Sequence, residues 1–152
     1  MAKKSLLFVF ILLLFSCSND KPPKLPILGN ADILYKTVDG KELADTLYPK
    51  IPPFSFLNED SILVTNATYK NRVWVVEFFF ASCPTICPIM NVQFKKLSQE
   101  TKKFQKDLQF LSFSINPKDD VPSVLRKYKR DHGITANNWN FLTGNEAETH
   151  RL

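Results

Sequence analysis

Two cysteines, Cys83 and Cys87, lie four positions apart in the segment VVEFFFASCPTICPIM, and a proline follows each of them. They come after an apolar, β-prone run and before a helical pattern with Pro88 in its first turn, where the missing N–H is not needed. Unpaired N–H groups at a helix start favour thiolate over thiol, so we expect lowered cysteine pKa values. Thiolates react with disulfides and bind metal ions, so a pair at this position is suited to either chemistry.

The spacing of the pair is compatible with a disulfide, if the two Cα atoms come within about 7 Å, and with a shared metal ion. Two soft thiolates favour copper(I), with zinc as the rival. A structural zinc site normally needs four protein ligands, and the chain has no second cysteine pair. A purely structural disulfide is the weaker interpretation, because it would close too short a loop to stabilise the fold much.

Glu77 is an acidic residue inside the strand-like run RVWVVEFFF, six residues before Cys83. A buried carboxyl is costly unless it has a partner or a role. Burial would raise its pKa and make it a proton acceptor for a reacting thiol. The alternative is a salt bridge to a lysine at the sheet margin, and the sequence favours neither interpretation over the other.

The N-terminal sequence MAKKSLLFVFILLLFSC has the parts of an export signal: two lysines, an apolar run of ten residues, and a small residue before Cys17. A ten-residue helix covers about 15 Å, half of what a membrane anchor needs. The end of this segment resembles the bacterial lipobox, so we expect residues 1–16 to be a lipoprotein signal peptide and Cys17 to carry lipid. Ordinary secretion, with Cys17 incidental, is the alternative.

Lipidation of Cys17 would leave Cys83 and Cys87 as a pair in an exported, oxidising compartment. The proline-containing stretch after Cys17 is typical of a semi-extended tether. Without the two lysines of the signal segment, 18 basic residues face 15 acidic ones, and they are interspersed. This charge pattern predicts a solvated surface and no nucleic-acid face.

The full chain of 152 residues is 44% apolar, and its length allows one domain, in which strands and helices alternate. PPFSFL and SILVT, on either side of Asn58-Glu59-Asp60, predict a hairpin, and Asp39-Gly40 is a candidate turn. The run 72–80 is typical of a strand covered on both faces, and DLQFLSFSI and WNFLTG follow as further strands. This pattern predicts an α/β fold with the sheet order open.

Two helices separate these strands. The first has an apolar face with spacings of three, four or seven residues, formed by Met90, Phe94, Leu97, Phe104 and Leu108. The second has Asp119 or Asp120 as its cap, Pro122 near its start and its end at Gly133. The first helix would therefore begin at the cysteine pair.

CPTICP, the FFF run before it, SFSINPKDDVPSVL (residues 112–125) and WNFLTG together resemble the Sco/SenC family, and the LPILG segment is similar to bacterial members. The resemblance implies a thioredoxin-like fold and copper binding through two cysteines and a histidine. It also implies a role in assembling the dinuclear copper site of cytochrome c oxidase, by delivering copper, reducing the receiving cysteines, or both. On this chain Cys83 and Cys87 would be the copper ligands and a reversible disulfide pair. Thioredoxins have a buried acid at the offset of Glu77.

The chain departs from the family pattern in two places. Asn116 stands where the family usually has aspartate, while Asp120 fits the second acidic position of this supporting loop. The family histidine lies beyond the WxFLTG strand, close to which this sequence stops. We expect His132 to be exposed, and neither it nor His150 to bind copper.

The resemblance further implies that the final strands and helix of a thioredoxin-like fold are absent, leaving an open strand edge and an uncovered apolar face. Copper(I) binding by two thiolates would survive this loss, whereas copper(II) prefers added nitrogen ligands and should bind poorly.

These observations predict a signal peptide (1–16), a lipid-anchored tether and extension (17–50) and a copper-binding domain (51–152), on the periplasmic side of a bacterial membrane. The expected partners are the lipid membrane, through Cys17, and the copper-site subunit of cytochrome c oxidase. A thiol–disulfide oxidoreductase using Cys83 and Cys87 is the alternative. A peroxidase is disfavoured by the tandem Cys-Pro pair.

Overall fold

The computed structural model of this chain describes residues 26–152. These residues fall into two compact units, one ending at Pro49 and the other running from Lys50 to Leu152. The predicted signal peptide and Cys17 lie outside the described residues. Within residues 26–152, no helix has the length and apolar character needed to cross a membrane.

The first unit contains an antiparallel hairpin of β1 (Asp32–Val38) and β2 (Lys41–Leu47). Asp39 and Gly40 connect the strands with φ angles of 51° and 73°, the left-handed pair that a two-residue hairpin turn requires. The predicted turn at Asp39-Gly40 is therefore confirmed. Every residue of the two strands is exposed.

The second unit is built on a five-stranded sheet in the order β4-β3-β7-β6-β5. Its strands are β3 (Ser55–Asn58), β4 (Leu63–Thr65), β5 (Val73–Phe79), β6 (Leu108–Ser114) and β7 (Trp139–Thr143). The hairpin β3–β4 is antiparallel, and β5, β6 and β7 are parallel to one another. The predicted hairpin and the predicted α/β alternation of strands and helices are confirmed.

Three helices connect or follow these strands: α1 (Ile86–Glu100), α2 (Pro122–Asp131) and α3 (Glu146–Thr149), with short 3-10 turns at Asn66–Tyr69 and Lys102–Phe104. The prediction that the first helix continues through Phe104 and Leu108 is wrong. The Thr101 hydroxyl donates to the Leu97 carbonyl (2.7 Å) at the end of α1, and Leu108 begins β6 instead. The predicted cap of α2 by Asp119 or Asp120 is wrong, because the N-cap residue is Val121 and no side chain caps the helix. The predicted end of α2 at Gly133 is confirmed, since that residue has a φ of 59°.

The core lies on both faces of the sheet, because residues 109–114 of β6 are all buried. On the face covered by α1 and α2, the two cysteines pack in a cluster of buried residues with Phe79, Phe110, Leu125, Tyr128, Ile134, Trp139 and Phe141. On the other face a second cluster contains Phe54, Phe56, Val64, Tyr69, Leu111, Phe113 and Leu142. The cysteine pair therefore belongs to one of the two halves of the core.

β5 is an edge strand of the sheet. The prediction that its run is covered on both faces is wrong, because Val76 and Phe78, on one face of the strand, are exposed. Val73 is also exposed, whereas Glu77 and Phe79, which point to the other face from Val76 and Phe78, are buried. Trp74, Val76, Phe78 and Phe113 line a shallow apolar groove on this face. The expected open edge and uncovered apolar face are thus present in the described residues.

Candidate functional site

The cysteine pair sits where the chain leaves β5 and enters α1. Cys83 lies in the intervening loop, where its N–H donates to the Phe80 carbonyl (3.1 Å), and Cys87 is the second residue of the helix. The N-cap residue Thr85 makes no side-chain capping hydrogen bond, so the first N–H groups of α1 are not satisfied by a cap. Both cysteines are reduced and buried, with 9% and 3% of their surface exposed.

The pKa values of the two thiols are shifted in opposite directions. The neighbouring Cys87 thiol, as a hydrogen-bond partner, lowers the pKa of Cys83 to about 7, and the backbone N–H groups of Cys87, Thr85 and Ile86 add to this effect. Burial raises the pKa of Cys87, and the charges of Cys83 and Glu77 raise it further. The expectation that both pKa values would be lowered is therefore correct for Cys83 and wrong for Cys87. The Cys83 thiol therefore loses its proton at a lower pH than the Cys87 thiol.

The chain segment that contains the cysteine pair has no charged side chains. From residue 78 to residue 94 the sequence contains no Asp, Glu, Lys or Arg. Below the pair, Phe79 and Tyr128 pack with a centroid distance of 5.3 Å, and both belong to the buried cluster of the cysteines. In such surroundings a polar group has few partners and its electrostatic interactions are strengthened. Buried polar side chains near this cluster are therefore expected to influence the acidity of the two thiols.

Glu77 is one of these buried groups, with 4% of its surface exposed. The Ser112 hydroxyl donates to Glu77 Oε1 (2.5 Å), and the indole N–H of Trp139 donates to Ser112 Oγ (2.8 Å). Glu77 Oε2 is buried without a hydrogen-bond partner in the described residues. Burial raises the pKa of Glu77 to about 7, against a smaller lowering by the Ser112 hydrogen bond. The alternative of a salt bridge to a lysine is wrong, because no lysine of residues 26–152 contacts this carboxyl.

Asp120 fastens the cysteine loop to the end of β6. Its carboxylate is 1% exposed and accepts the Ala81 N–H with Oδ2 and Oδ1, at 3.1 and 3.3 Å. The Ser114 hydroxyl also donates to Asp120 Oδ2 (2.5 Å). The residue two positions before Cys83 is therefore held by a carboxylate from the loop between β6 and α2.

Asn116 does not contact the cysteine loop. Its side-chain amide donates to Asp119 Oδ2 (2.8 Å) at the surface, and its N–H donates to Ser114 Oγ (3.0 Å). Asn116 thus supports the loop that carries Asp120 and reaches the cysteines only through it.

The two histidines differ in their contacts. His132 follows the last residue of α2 and is half-buried, so the prediction that it is exposed is wrong. The cause is stacking on Tyr128 (4.0 Å between ring centroids), with His132 Nδ1 2.9 Å from the Tyr128 carbonyl. His150 is exposed at the end of α3. In residues 26–152 no group of three or more His, Cys, Asp or Glu side chains could hold one metal ion.

Sequence reasoning missed four residues of this site: Asn91, Ser112, Tyr128 and Trp139. The Asn91 amide donates to the Tyr128 hydroxyl inside the core, and burial raises the Tyr128 pKa to about 12. Asn91 lies four residues after Cys87 on α1, so its polar side chain on the buried helix face was the available signal. Ser112 and Trp139 gave no such signal, since their partners are distant in sequence.

Comparisons with known proteins agree with this geometry. The SCO1/SenC family profile matches residues 44–152. The structure is similar to BsSco, described as a member of the Sco family of cytochrome c oxidase assembly proteins with a disulfide switch: 35% identity, TM-score 0.59, 65% of this chain and 58% of that one. It is also similar to a SCO1/SenC family lipoprotein from Bacillus anthracis: 35% identity, TM-score 0.60, 66% and 60% coverage.

Copper-bound Sco1 from yeast is a further similar structure, with 26% identity, a TM-score of 0.55 and 65% and 61% coverage. The chain therefore spans about three fifths of the length of each of these structures. The predicted thioredoxin-like α/β class agrees with the fold that these Sco proteins share. Because the profile covers well over half of the sequence, the chain belongs to the SCO1/SenC family.

Proposed function

We propose that this chain is an envelope copper chaperone that binds copper(I) through Cys83 and Cys87. The observation that carries the proposal is the pair of buried thiols at the start of α1, one with a pKa near 7 and one with a raised pKa. Two soft sulfur ligands in an apolar setting suit copper(I). The copper-bound state of yeast Sco1 supports the choice of metal.

Copper is the cargo of this site. The proposed recipient is the dinuclear copper site of cytochrome c oxidase, in line with the description of BsSco as a cytochrome c oxidase assembly protein. A chaperone must hold its ion firmly and still release it to a partner. A site with two ligands leaves copper(I) accessible to incoming thiolates, which suits transfer by ligand exchange. On this proposal the protein is a binding protein and not a turnover enzyme.

The chain organisation that we propose follows the sequence: a signal peptide (1–16), a tether and extension (17–50) anchored by lipid on Cys17, and the copper-binding domain (51–152). The domain would then work on the periplasmic side of the bacterial membrane. A relative from Bacillus anthracis that is described as a lipoprotein supports this localisation.

The copper proposal is tested by anaerobic copper(I) titration of the reduced full chain against a competing chelator. Cys17 is replaced by Ala in every sample, so that the titrated thiols are Cys83 and Cys87. We expect one copper per chain, with binding abolished in Cys83→Ser and in Cys87→Ser. A folded chain that fails to compete with the chelator, or that keeps its affinity in both variants, would contradict the proposal.

Copper(II) distinguishes the two-ligand site from a site with an added histidine. In residues 26–152 no third ligand joins the sulfurs, so we expect no stable thiolate-to-copper(II) charge-transfer band on copper(II) addition. Absorption spectroscopy of the reduced full chain checks this. A stable band that His132→Ala or His150→Ala removes would show that a histidine does complete the site.

A second candidate function is thiol–disulfide exchange. It is favoured by the difference in pKa between the two thiols, lowered for Cys83 and raised for Cys87. The Cys83 thiolate would attack a partner disulfide, form a mixed disulfide and release one partner thiolate. Cys87 would then lose its proton to Glu77, attack the Cys83 sulfur and release the second partner thiolate, leaving a Cys83–Cys87 disulfide. The pair is oxidised and the partner reduced. The disulfide switch reported for BsSco supports this chemistry.

The exchange mechanism is tested by alkylation and by Glu77→Gln. Iodoacetamide should modify Cys83 with a midpoint near pH 7, and Cys87 slowly. In Glu77→Gln the first attack should be unchanged and release of the mixed disulfide slower, because Cys87 lacks its proton acceptor. Equal release rates in the wild type and in Glu77→Gln would remove Glu77 from the mechanism.

We also propose that Asp120 is a positioning residue for Cys83, and that Asn116 supports it. The hydrogen bonds from Ala81 to the buried carboxylate fix the loop on which Cys83 lies. Asp120→Ala should alter the alkylation midpoint of Cys83, whereas Asn116→Ala should alter it less. A midpoint that is the same in a folded Asp120→Ala variant would contradict this role.

A further inference from the structure

A second concave site lies away from the cysteines. A groove of about 400 Å³ is lined by the C-terminal half of α1, the turn after it and the loop 133–138 before β7. The cysteines follow the carboxyl end of β5, whereas this loop precedes the amino end of β7. Because β5 and β7 run parallel within one sheet, the groove and the cysteine pair lie at opposite ends of that sheet.

The groove carries unneutralised positive charge. Lys95 and Lys102 line it, and no Asp or Glu does. Neither lysine forms an ion pair within residues 26–152, whereas Lys96, on the same helix, is paired with Glu100. Lys95 Nζ is held 2.8 Å from the His132 carbonyl, so one cation is fixed at the wall of the groove. Two unpaired cations in a concave surface attract anions.

The other lining groups are mostly hydrogen-bond donors over an apolar floor. Side-chain amides come from Gln99, Gln105 and Asn137, and the floor includes the buried residues Ile134 and Trp139. The backbone N–H groups of residues 135–138 donate to no acceptor in the described part of the chain. Amide N–H groups beside lysines provide the charge-assisted hydrogen bonds that carboxylate and phosphate oxygens accept.

We infer that this groove binds a small oxyanion with two or more negative charges, carrying carboxylate or phosphate groups. Its volume is at the lower end of the range for small-molecule sites, about 300–1,000 Å³. Two lysines match two anionic groups of one ligand. Lysine is a compact point charge without the planar fork of arginine, so these residues recognise the shared oxyanion chemistry.

Calorimetric titration of the full chain at low ionic strength, with citrate and with inorganic phosphate as probes, tests the inference. We expect saturable binding with one site. Lys102→Gln should weaken it about tenfold, the loss of one charge-assisted hydrogen bond. Lys103→Gln is the matched control, since Lys103 is the neighbouring lysine, does not line the groove and instead lies over the Phe104 ring. The preference between citrate and phosphate distinguishes carboxylate from phosphate ligands.

Three results would overturn the inference. One is the absence of saturable binding of either anion up to about 10 mM, where specific recognition would have no measurable strength. Another is an equal loss in Lys102→Gln and Lys103→Gln, which would indicate attraction to diffuse surface charge. The third is binding that disappears in Cys83→Ser, since the groove is separate from the cysteines. Backbone amide shifts confined to residues 133–138 on citrate addition would support it.

Discussion

Glu59 and Glu77 are two buried carboxyl groups of the same compact unit, 3% and 4% exposed. They differ in how many hydrogen-bond donors surround them. Glu59 lies in the turn between β3 and β4. Its oxygens accept from Lys129 Nζ, from the Phe141 N–H (2.9 Å) and from the side-chain amide of Asn140 (3.4 Å). Glu77 has one donor, Ser112, and one oxygen without a partner.

The comparison shows that burial of an acid does not by itself indicate chemistry. Glu59 is matched by a cation and by a backbone N–H, so it ties α2 and β7 to the β3–β4 turn. Glu77 is buried beside a segment without charged residues, and its free oxygen can take up a proton at neutral pH. A complete set of partners therefore indicates a structural role for Glu59, and the incomplete set of Glu77 supports the proton-accepting role that we propose for it.

The largest expected effect is the loss of protein stability when Glu59 is replaced. Glu59→Ala leaves Lys129 without its anion and the Phe141 N–H without an acceptor, so we expect a loss of about 4 kcal/mol in the free energy of unfolding. Asp60→Ala is the matched control, because its contact with Arg126 (3.3 Å) is exposed and should contribute less than about 1 kcal/mol. Urea unfolding measures both. A cost for Glu59→Ala no greater than that of Asp60→Ala would show that the buried ion pair does not fasten the turn.

The second effect is the contribution of Glu77 to the pH dependence of stability. Its pKa rises from 4.5 to about 7 on folding, so the folded chain binds the proton more tightly than the unfolded chain. Stability from this group is complete below pH 4.5 and is lost as the pH rises through about 7. The loss amounts to about 3 kcal/mol at most.

Unfolding free energies of the wild type and Glu77→Gln between pH 4 and pH 8 measure this loss. Subtraction of the two curves cancels the contribution of Cys83, which titrates in the same range. The difference should fall as the pH rises. A difference that stays constant would mean that the Glu77 carboxyl titrates as an ordinary exposed acid.

The same contrast explains what could be predicted from sequence. The alternation of strands and helices and the place of the cysteines followed from local periodicity and from the proline after each cysteine. The end of α1 did not, because the segment after Thr101 keeps a helical apolar spacing that β6 overrides through its pairing with β5 and β7. The exposure of one face of β5 likewise depends on which elements pack on the sheet, which a strand pattern does not contain.

The site was predicted in its residues but not in its electrostatics. Helix geometry gave the direction of the Cys83 pKa, but burial of Cys87 depends on residues from β6, α2 and β7. Ser112 and Trp139 lie 35 and 62 positions from Glu77, so their hydrogen bonds could not be inferred from spacing. The resemblance placed Asp120 in a supporting loop, but its contact with Ala81, 39 positions away, was revealed only by the fold.

A third, smaller effect compares the two acids of the loop between β6 and α2. Asp120→Ala leaves the Ala81 N–H and the Ser114 hydroxyl without their acceptor in a buried place, so we expect a loss of about 2 kcal/mol in unfolding free energy. Asp119→Ala, which removes an exposed contact with Asn116, should cost less than about 0.5 kcal/mol. Equal costs in thermal or urea unfolding would show that the Ala81 contact contributes nothing to stability.

The smallest effect concerns the hydrogen bond that Glu77 does have. Ser112→Ala removes the donor to Glu77 Oε1 and the acceptor of the Trp139 indole, at a cost of about 1 kcal/mol in stability. Since the Ser112 hydrogen bond lowers the Glu77 pKa against the effect of burial, its removal should move that pKa above about 7. Carbon-detected NMR titration of the Glu77 carboxyl measures the change, with the exposed Ser123→Ala as control. A Glu77 pKa that is the same in Ser112→Ala, Ser123→Ala and the wild type would mean that burial alone sets it. Glu77 would then be poised for proton transfer without the help of Ser112 and Trp139.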